Sequence, residues 1–74
     1  MRNRGLKDSF NNGWEQIPPF ALFRAKEEIK DALGLKTDAA FYNRKNGKRP
    51  YTPAEKEAVE KVFRKYKIVK NIWL

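Results

Sequence analysis

Residues 34–51 read GLKTDAAFYNRKNGKRPY, and the fold turns on whether this stretch is a helix or a polar loop. Thr37 or Lys36 can open a helix. The threonine hydroxyl accepts an N–H that a helix start leaves unpaired, and Asp38 suits the positive end of the helix dipole. Gly47 can close the helix, because glycine adopts the left-handed conformation of a C-terminal stop without strain. The stretch therefore predicts a helix over about 37–46. A tight turn at Gly34 leads into it, and a basic turn carrying Lys48 and Arg49 leads out.

Both flanks of this helix are helical by the same criteria. Upstream, Pro18 and Pro19 precede FALFRAKEEIKDAL, in which Leu22, Ala25, Ile29, Ala32 and Leu33 recur at helical spacing. This predicts a helix over about 19–33 that ends at Gly34. Downstream, TPAE places Thr52 at a cap, Pro53 in the first turn and Glu55 at the third position. That is a capping box, and it opens a helix running to about Tyr66. Two helices joined by a glycine turn, with a third packed across them, make an all-α, three-helix helix-turn-helix domain over residues 14–74. Residues 1–13 carry two glycines and no periodicity, and read as a flexible N-terminal arm. The final IVKNIWL is β-branched and aromatic and reads as a short strand. It needs a partner, so a minor β-pair is expected. The partner strand is either residues 14–17 of the same chain or the tail of a second copy in a homodimer.

At 100° per residue, Phe41 can anchor the middle helix in the core, with Thr37 and the stem of Lys45 nearby. Ala39, Asn43 and Asn46 then point outward, flanked by Lys36 and Tyr42. Asparagine can bond two edge atoms of adenine, arginine or lysine can do the same with guanine, and alanine admits close approach. The candidate base-facing set is Lys36, Ala39, Tyr42, Asn43 and Asn46. The candidate phosphate-binding set is Thr37, Arg44, Lys48 and Arg49, with Arg44 reaching around from the inner flank. A plainer reading stays open: Asn43 and Asn46 as helix-end residues bonding the local backbone, and Tyr42 as a rim of the core.

Charge supports a polyanionic partner. The 74 residues carry a net charge of +8, and it is not evenly spread. Residues 34–50 hold Lys36, Arg44, Lys45, Lys48 and Arg49 against Asp38, for +4. Residues 64–74 add Arg64, Lys65, Lys67 and Lys70. Residues 21–33 are balanced, so Arg24, Lys26 and Lys30 read as a solvated face. Clustered positive charge attracts polyanions and speeds their association. The chain has no cysteine and no histidine. No nucleophile–base pair or metal-ligand spacing is evident, so no catalytic residue, cofactor or small-molecule ligand is expected, and an enzyme is rejected. No apolar run approaches the ~18 residues of a membrane span, and MRNRGLKDSFNNG has no signal-peptide core. A cytoplasmic protein is expected.

Residues 32–50, ALGLKTDAAFYNRKNGKRP, resemble the helix-turn-helix core of the Cro/repressor class, in which a leucine-glycine-aliphatic turn leads into the recognition helix. The Asn46, Gly47, Lys48 turn matches the end of that helix. The Phe41–Tyr42 pair and the tail residues Tyr66, Ile68, Ile72 and Trp73 are similar to those of short regulators of this kind. The resemblance implies a lambda-repressor-like fold and a transcription regulator that reads double-stranded DNA with residues 37–46 in the major groove. If the regulator is a dimer, its two reading helices lie about 34 Å apart. Two departures stand out: the span from Gly34 to Gly47 is one residue longer than the commonest spacing, and Lys45 occupies an expected aliphatic position. Two further functions compete. One is a nonspecific nucleic-acid or RNA-binding module that stacks bases on Tyr42 or Tyr51. The other is a protein-interaction module with the tail as its edge.

Overall fold

Helix ends organise the chain. The computed structural model describes residues 9–73, which fold into four helices with no strand among them. These are α1 (Asn11–Trp14), α2 (Leu22–Leu33), α3 (Asp38–Lys45) and α4 (Pro53–Lys65). A 3₁₀ turn at Pro19–Ala21 leads into α2. Thr37 caps α3 by accepting the Ala40 N–H at 3.1 Å, and Asp38 sits in its first turn. Thr52 and Glu55 close a reciprocal capping box on α4. The expected span 37–46 thus corresponds to α3 plus its two cap residues.

The three longer helices end alike. At each end one residue has positive φ, namely Gly34 (71°), Gly47 (80°) and Lys67 (64°). The residue after it donates back across the turn: Leu35 to the Lys30 carbonyl, Lys48 to Asn43 and Ile68 to Phe63. This is the Schellman arrangement, which satisfies carbonyls that a helix end would otherwise orphan. Lys67 performs the turn without glycine, at some cost in left-handed strain.

Phe10 lies at the centre of the core and is fully buried. Its ring meets Phe41 of α3 at 6.0 Å, Phe63 of α4 at 5.7 Å and Trp73 of the tail at 6.1 Å between centroids. Ala25 and Ile29 of α2 pack with Val59, Val62 and Phe63 of α4, and Ile17, Ala21, Ile68 and Ile72 complete the cluster. Ser9 and Phe10 also donate to one acceptor, the Lys45 carbonyl at the end of α3, at 2.8 and 3.1 Å. The segment preceding α1 is therefore structural. The domain includes residues 9–13, which the flexible-arm reading had excluded; residues 1–8 of that arm lie outside the described residues. Gly13 is present for close approach: a Cβ there would lie 3.0 Å from Ile72 Cγ2 and 3.1 Å from its Cα.

The expected β-pair does not form among the described residues. Lys67 and Asn71 both have positive φ (64° and 56°), and the tail coils instead of extending. One backbone bond joins the two segments, from Gly13 N–H to the Ile72 carbonyl at 3.0 Å. Side-chain amides supply the rest. Gln16 Nε2 donates to the Lys70 and Asn71 carbonyls, and Asn12 Nδ2 to that of Trp73. The tail is partly covered by its own chain: Ile68 and Ile72 are buried and Trp73 Nε1 donates to Glu60 at 2.8 Å, while Val69 stays exposed.

Phe10→Ala is expected to lower the unfolding free energy by about 3–5 kcal/mol, the usual range for a fully buried phenylalanine. Urea denaturation checks this, and a neutral result would return the segment to an arm.

Candidate nucleic-acid interface

Three internal attachments fix α3, so that its remaining face is free. At its start, Asp38 accepts from Lys26 at 3.0 Å and Lys30 at 2.9 Å, both on α2. These bonds, the Lys30 one foremost, hold the Asp38 carboxyl below the usual carboxylate range, and they hold the Lys30 ammonium above its own. Lys26 and Lys30 are thus not merely a solvated face; they tie α2 to α3. Mid-helix, the Phe41 ring is fully buried, with Trp14 packed on it at 5.2 Å. At the end, four successive carbonyls all find donors. Tyr42 accepts from Asn46 N–H, Asn43 from Lys48 N–H, Arg44 from Gly47 N–H and the Tyr51 hydroxyl, and Lys45 from Ser9 and Phe10. No carbonyl of the last turn is left orphaned.

Arg44 belongs to this internal scaffold, which corrects its assignment as a phosphate contact. It is buried, its guanidinium stacks 4.4 Å from the centre of the Tyr51 ring, and Nη2 lies 2.8 Å from Glu55 Oε1. That contact is misaligned for a hydrogen bond, so it acts as an ion pair. Phe41 and Arg44 lie three residues apart and so share one helical face, which is why the inner flank carries Arg44 inward. Glu55 joins α3 to the start of α4. The Thr52 backbone N–H, and secondly Arg44, hold its carboxyl below the usual range.

Asn46 is likewise redirected. Its Oδ1 accepts from Asn11 Nδ2 at 3.3 Å and lies 3.5 Å from Lys45 Nζ, so it is half-buried beside α1 and does not face outward freely. Lys45 donates to Asn11 Oδ1 at 2.6 Å, and burial pushes its ammonium pKa down. The lysine that stands at an expected aliphatic position reaches a polar partner at the edge of the core.

The other candidates are on the surface. Ala39, Tyr42 and Asn43 are exposed on α3, with Lys36 exposed just before its cap and Lys48 and Arg49 exposed just beyond its end. Thr37 is exposed too, but its oxygen already caps the helix, leaving only its O–H proton for an anion. Tyr42 is 46% exposed, with its edge on Phe41 and Lys45 Nζ 5.7 Å from its ring centre. Tyr51 is half-buried between Arg44 and Trp73, whose ring lies 5.1 Å away, and so offers no open stacking face. What remains is a narrow strip with a small residue, an amide and a phenol at its centre and cations at both ends.

Sequence reasoning missed Phe10 and Asn11 as supports, and it missed the pairing of the capping residue Glu55 with Arg44. Phe10 had a signal in its spacing to Trp14, two aromatics one helical turn apart. Nothing local announces the Arg44–Glu55 pair, because the turn between α3 and α4 brings it together. Among the described residues no group of histidine, cysteine, aspartate or glutamate could hold a metal ion, and no helix is long and apolar enough to cross a membrane. No protein-family model, curated protein or solved structure matches the chain.

Asp38 and Glu55 both have depressed folded-state pKa values. Their stabilising effect is complete above the unfolded pKa of about 4 and is lost as pH falls through the folded values. Thermal melts between pH 7 and 2 should therefore show Tm falling below about pH 4. In Asp38→Asn and Glu55→Gln that acid limb should be shallower, and unchanged limbs would remove these contacts from the account.

Proposed function

We propose that this protein is a DNA-binding transcription regulator of the helix-turn-helix kind, with α2 and α3 as the motif and α3 as the reading helix. One observation carries the proposal. α3 is held at its start, middle and end by its own chain, yet it presents Ala39, Tyr42 and Asn43 to solvent, with Lys36 just before it and Lys48 and Arg49 just beyond. A rigid helix with a small, amide-bearing face is suited to base edges. Cations just past its end are suited to the flanking phosphates, which set register and carry no sequence information. The likeness of residues 32–50 to the Cro/repressor class adds to this reading.

In this account Asn43 is the base-reading side chain, Ala39 admits the groove wall, and Tyr42 meets sugar or base. Lys36, Lys48 and Arg49 meet phosphates or a guanine edge. Arg44 and Asn46 act from behind, as supports. The RNA-stacking alternative is weaker, since of its two aromatics only Tyr42 has an open face. An interaction module built on the tail is weaker still, because Ile68 and Ile72 are buried and Val69 is the one large aliphatic side chain that the described tail leaves exposed.

Selection from random duplex DNA, followed by titration of winners and random duplex at several salt concentrations, tests the proposal. A motif preferred by more than about a thousandfold is the expected outcome. Steep salt dependence with no motif would make the protein a nonspecific binder, and no binding at low salt would end the proposal. Lys48→Ala with Arg49→Ala should weaken binding to every sequence and reduce the log–log salt slope by about 0.9 per lost contact. Asn43→Ala should cost about 1–3 kcal/mol, confined to one base position. Equal losses on selected and random duplex would remove Asn43 from base reading.

A further inference from the structure

Residues 64–74 carry Arg64, Lys65, Lys67 and Lys70 and no acidic side chain. All four cations are exposed. Among the described residues, no carboxylate is close enough to Arg64, Lys67 or Lys70 to form an ion pair, and Lys65 only approaches Glu28, at 3.9 Å. This sets the block apart from Lys26, Lys30 and Arg44, whose charges tie helices together.

The block is also held in place. Ile68 and Ile72 are buried, the Ile68 N–H returns to the Phe63 carbonyl, and Gln16 Nε2 donates to the Lys70 and Asn71 carbonyls. The backbone around Lys67 and Lys70 is thus pinned to the body of the protein while their side chains stay in solvent. Arg64, Val69 and Asn71 line an open cleft of about 210 Å³ beside them. Glu60, also on its wall, accepts the Trp73 indole N–H.

Helix-end chemistry explains part of this. Arg64 and Lys65 lie in the last turn of α4, where cations suit the helix dipole. It does not explain the other two. Lys70 lies in the coil beyond the helix. Lys67 holds φ at 64°, where the corresponding positions after α2 and α3 are the glycines 34 and 47. A lysine kept where glycine would be less strained points to a use for its ammonium.

The surroundings select what the cations meet. A lipid surface calls for apolar anchors beside them, and Val69 is the one large aliphatic side chain exposed on the described tail. A protein partner calls for an apolar centre to the contact, which is missing for the same reason. A phosphate backbone needs neither, only unpaired cations and amides. α4 has 13 residues, about 20 Å of helix, so this block stands well apart from Lys48 and Arg49 at the other end.

We propose that Arg64, Lys65, Lys67 and Lys70 form a second, sequence-independent contact for the phosphate backbone of duplex DNA. The proposal rests on the DNA-binding reading for the identity of the polyanion, and not on base reading by α3.

The test is titration of the full chain with random-sequence duplex across a salt series, alongside amide NMR spectra of the isotope-labelled protein. Duplex should shift the amide signals of residues 67–71 as well as those of α3. Lys67→Gly with Lys70→Ala should weaken binding to selected and random duplex alike, and lower the log–log salt slope by about 0.9 per lost contact. The urea midpoint should not fall, because glycine relieves the left-handed strain at position 67, so lost binding is not lost folding. Adding Glu57→Gln and Asp31→Asn, both at exposed positions, restores the net charge without restoring the surface, and binding should stay weak. Recovery would reduce the block to net charge and overturn the proposal. An unchanged salt slope in the lysine variant, or shifts confined to α3, would overturn it too. The two proposals fail separately. Absence of a selected motif removes base reading by α3 and leaves this surface to random duplex, whereas an unchanged slope removes this surface whatever α3 selects.

Discussion

The Lys45 carbonyl is the point on which the rest of the structure depends. It ends α3, where helical geometry leaves a carbonyl without a partner, and it receives both the Ser9 hydroxyl and the Phe10 N–H. Those two bonds deliver the Phe10 ring between α3, α4 and the tail. Short helices are marginal in water by themselves, and α3 has eight residues. Its persistence rests on caps at both ends and on Phe41 in the core. A domain of this size lacks a large apolar reserve, so satisfying polar groups at helix ends and threading one aromatic through the centre do work that a larger core does elsewhere.

The same scaffold sorts the charges. Of the five cations in residues 34–50, Arg44 is turned inward against Tyr51 and Glu55, and Lys45 is held by Asn11. Lys36, Lys48 and Arg49 stay outside. Net charge therefore overstates what a ligand would meet: two of the five are committed to holding the helix that displays the others. One turn before Tyr42, at the start of the same helix, the Asp38 carboxylate is engaged by two lysines, so the one acid of the stretch is already compensated.

Legibility in the sequence followed locality. Thr37, Gly34, Gly47 and the Thr52–Glu55 box act within a few residues, so their patterns alone located three helices and their ends. The outward direction of Ala39, Tyr42 and Asn43 followed from helical periodicity once Phe41 was taken as buried. Phe10 was hidden by its neighbours, since SFNNG is polar on both sides of it and nothing nearby shows that α3 needs its donors. The tail misled because β-branched composition suggests a strand, while the decisive fact was left-handed backbone at Lys67 and Asn71, neither of them glycine. Arg44 and Glu55 are eleven positions apart, and only the turn between their helices shows that they meet.

The meeting of Phe10 with Trp73, together with the hydrogen bond that the Asn12 side-chain amide donates to the Trp73 carbonyl across 61 positions, has a kinetic meaning. The most extensive helix–helix packing, α2 against α4, spans only the intervening α3 and can form early. Closing the loop between residue 10 and residue 73 cannot, because ordering so long a segment costs entropy before its contacts repay it. A chain still emerging during synthesis can hold α2 against a growing α4. It cannot complete the packing around Phe10 until Trp73 has arrived. The centre of the core is thus among the last parts of the protein to take its final shape, although Phe10 lies at the start of the described residues.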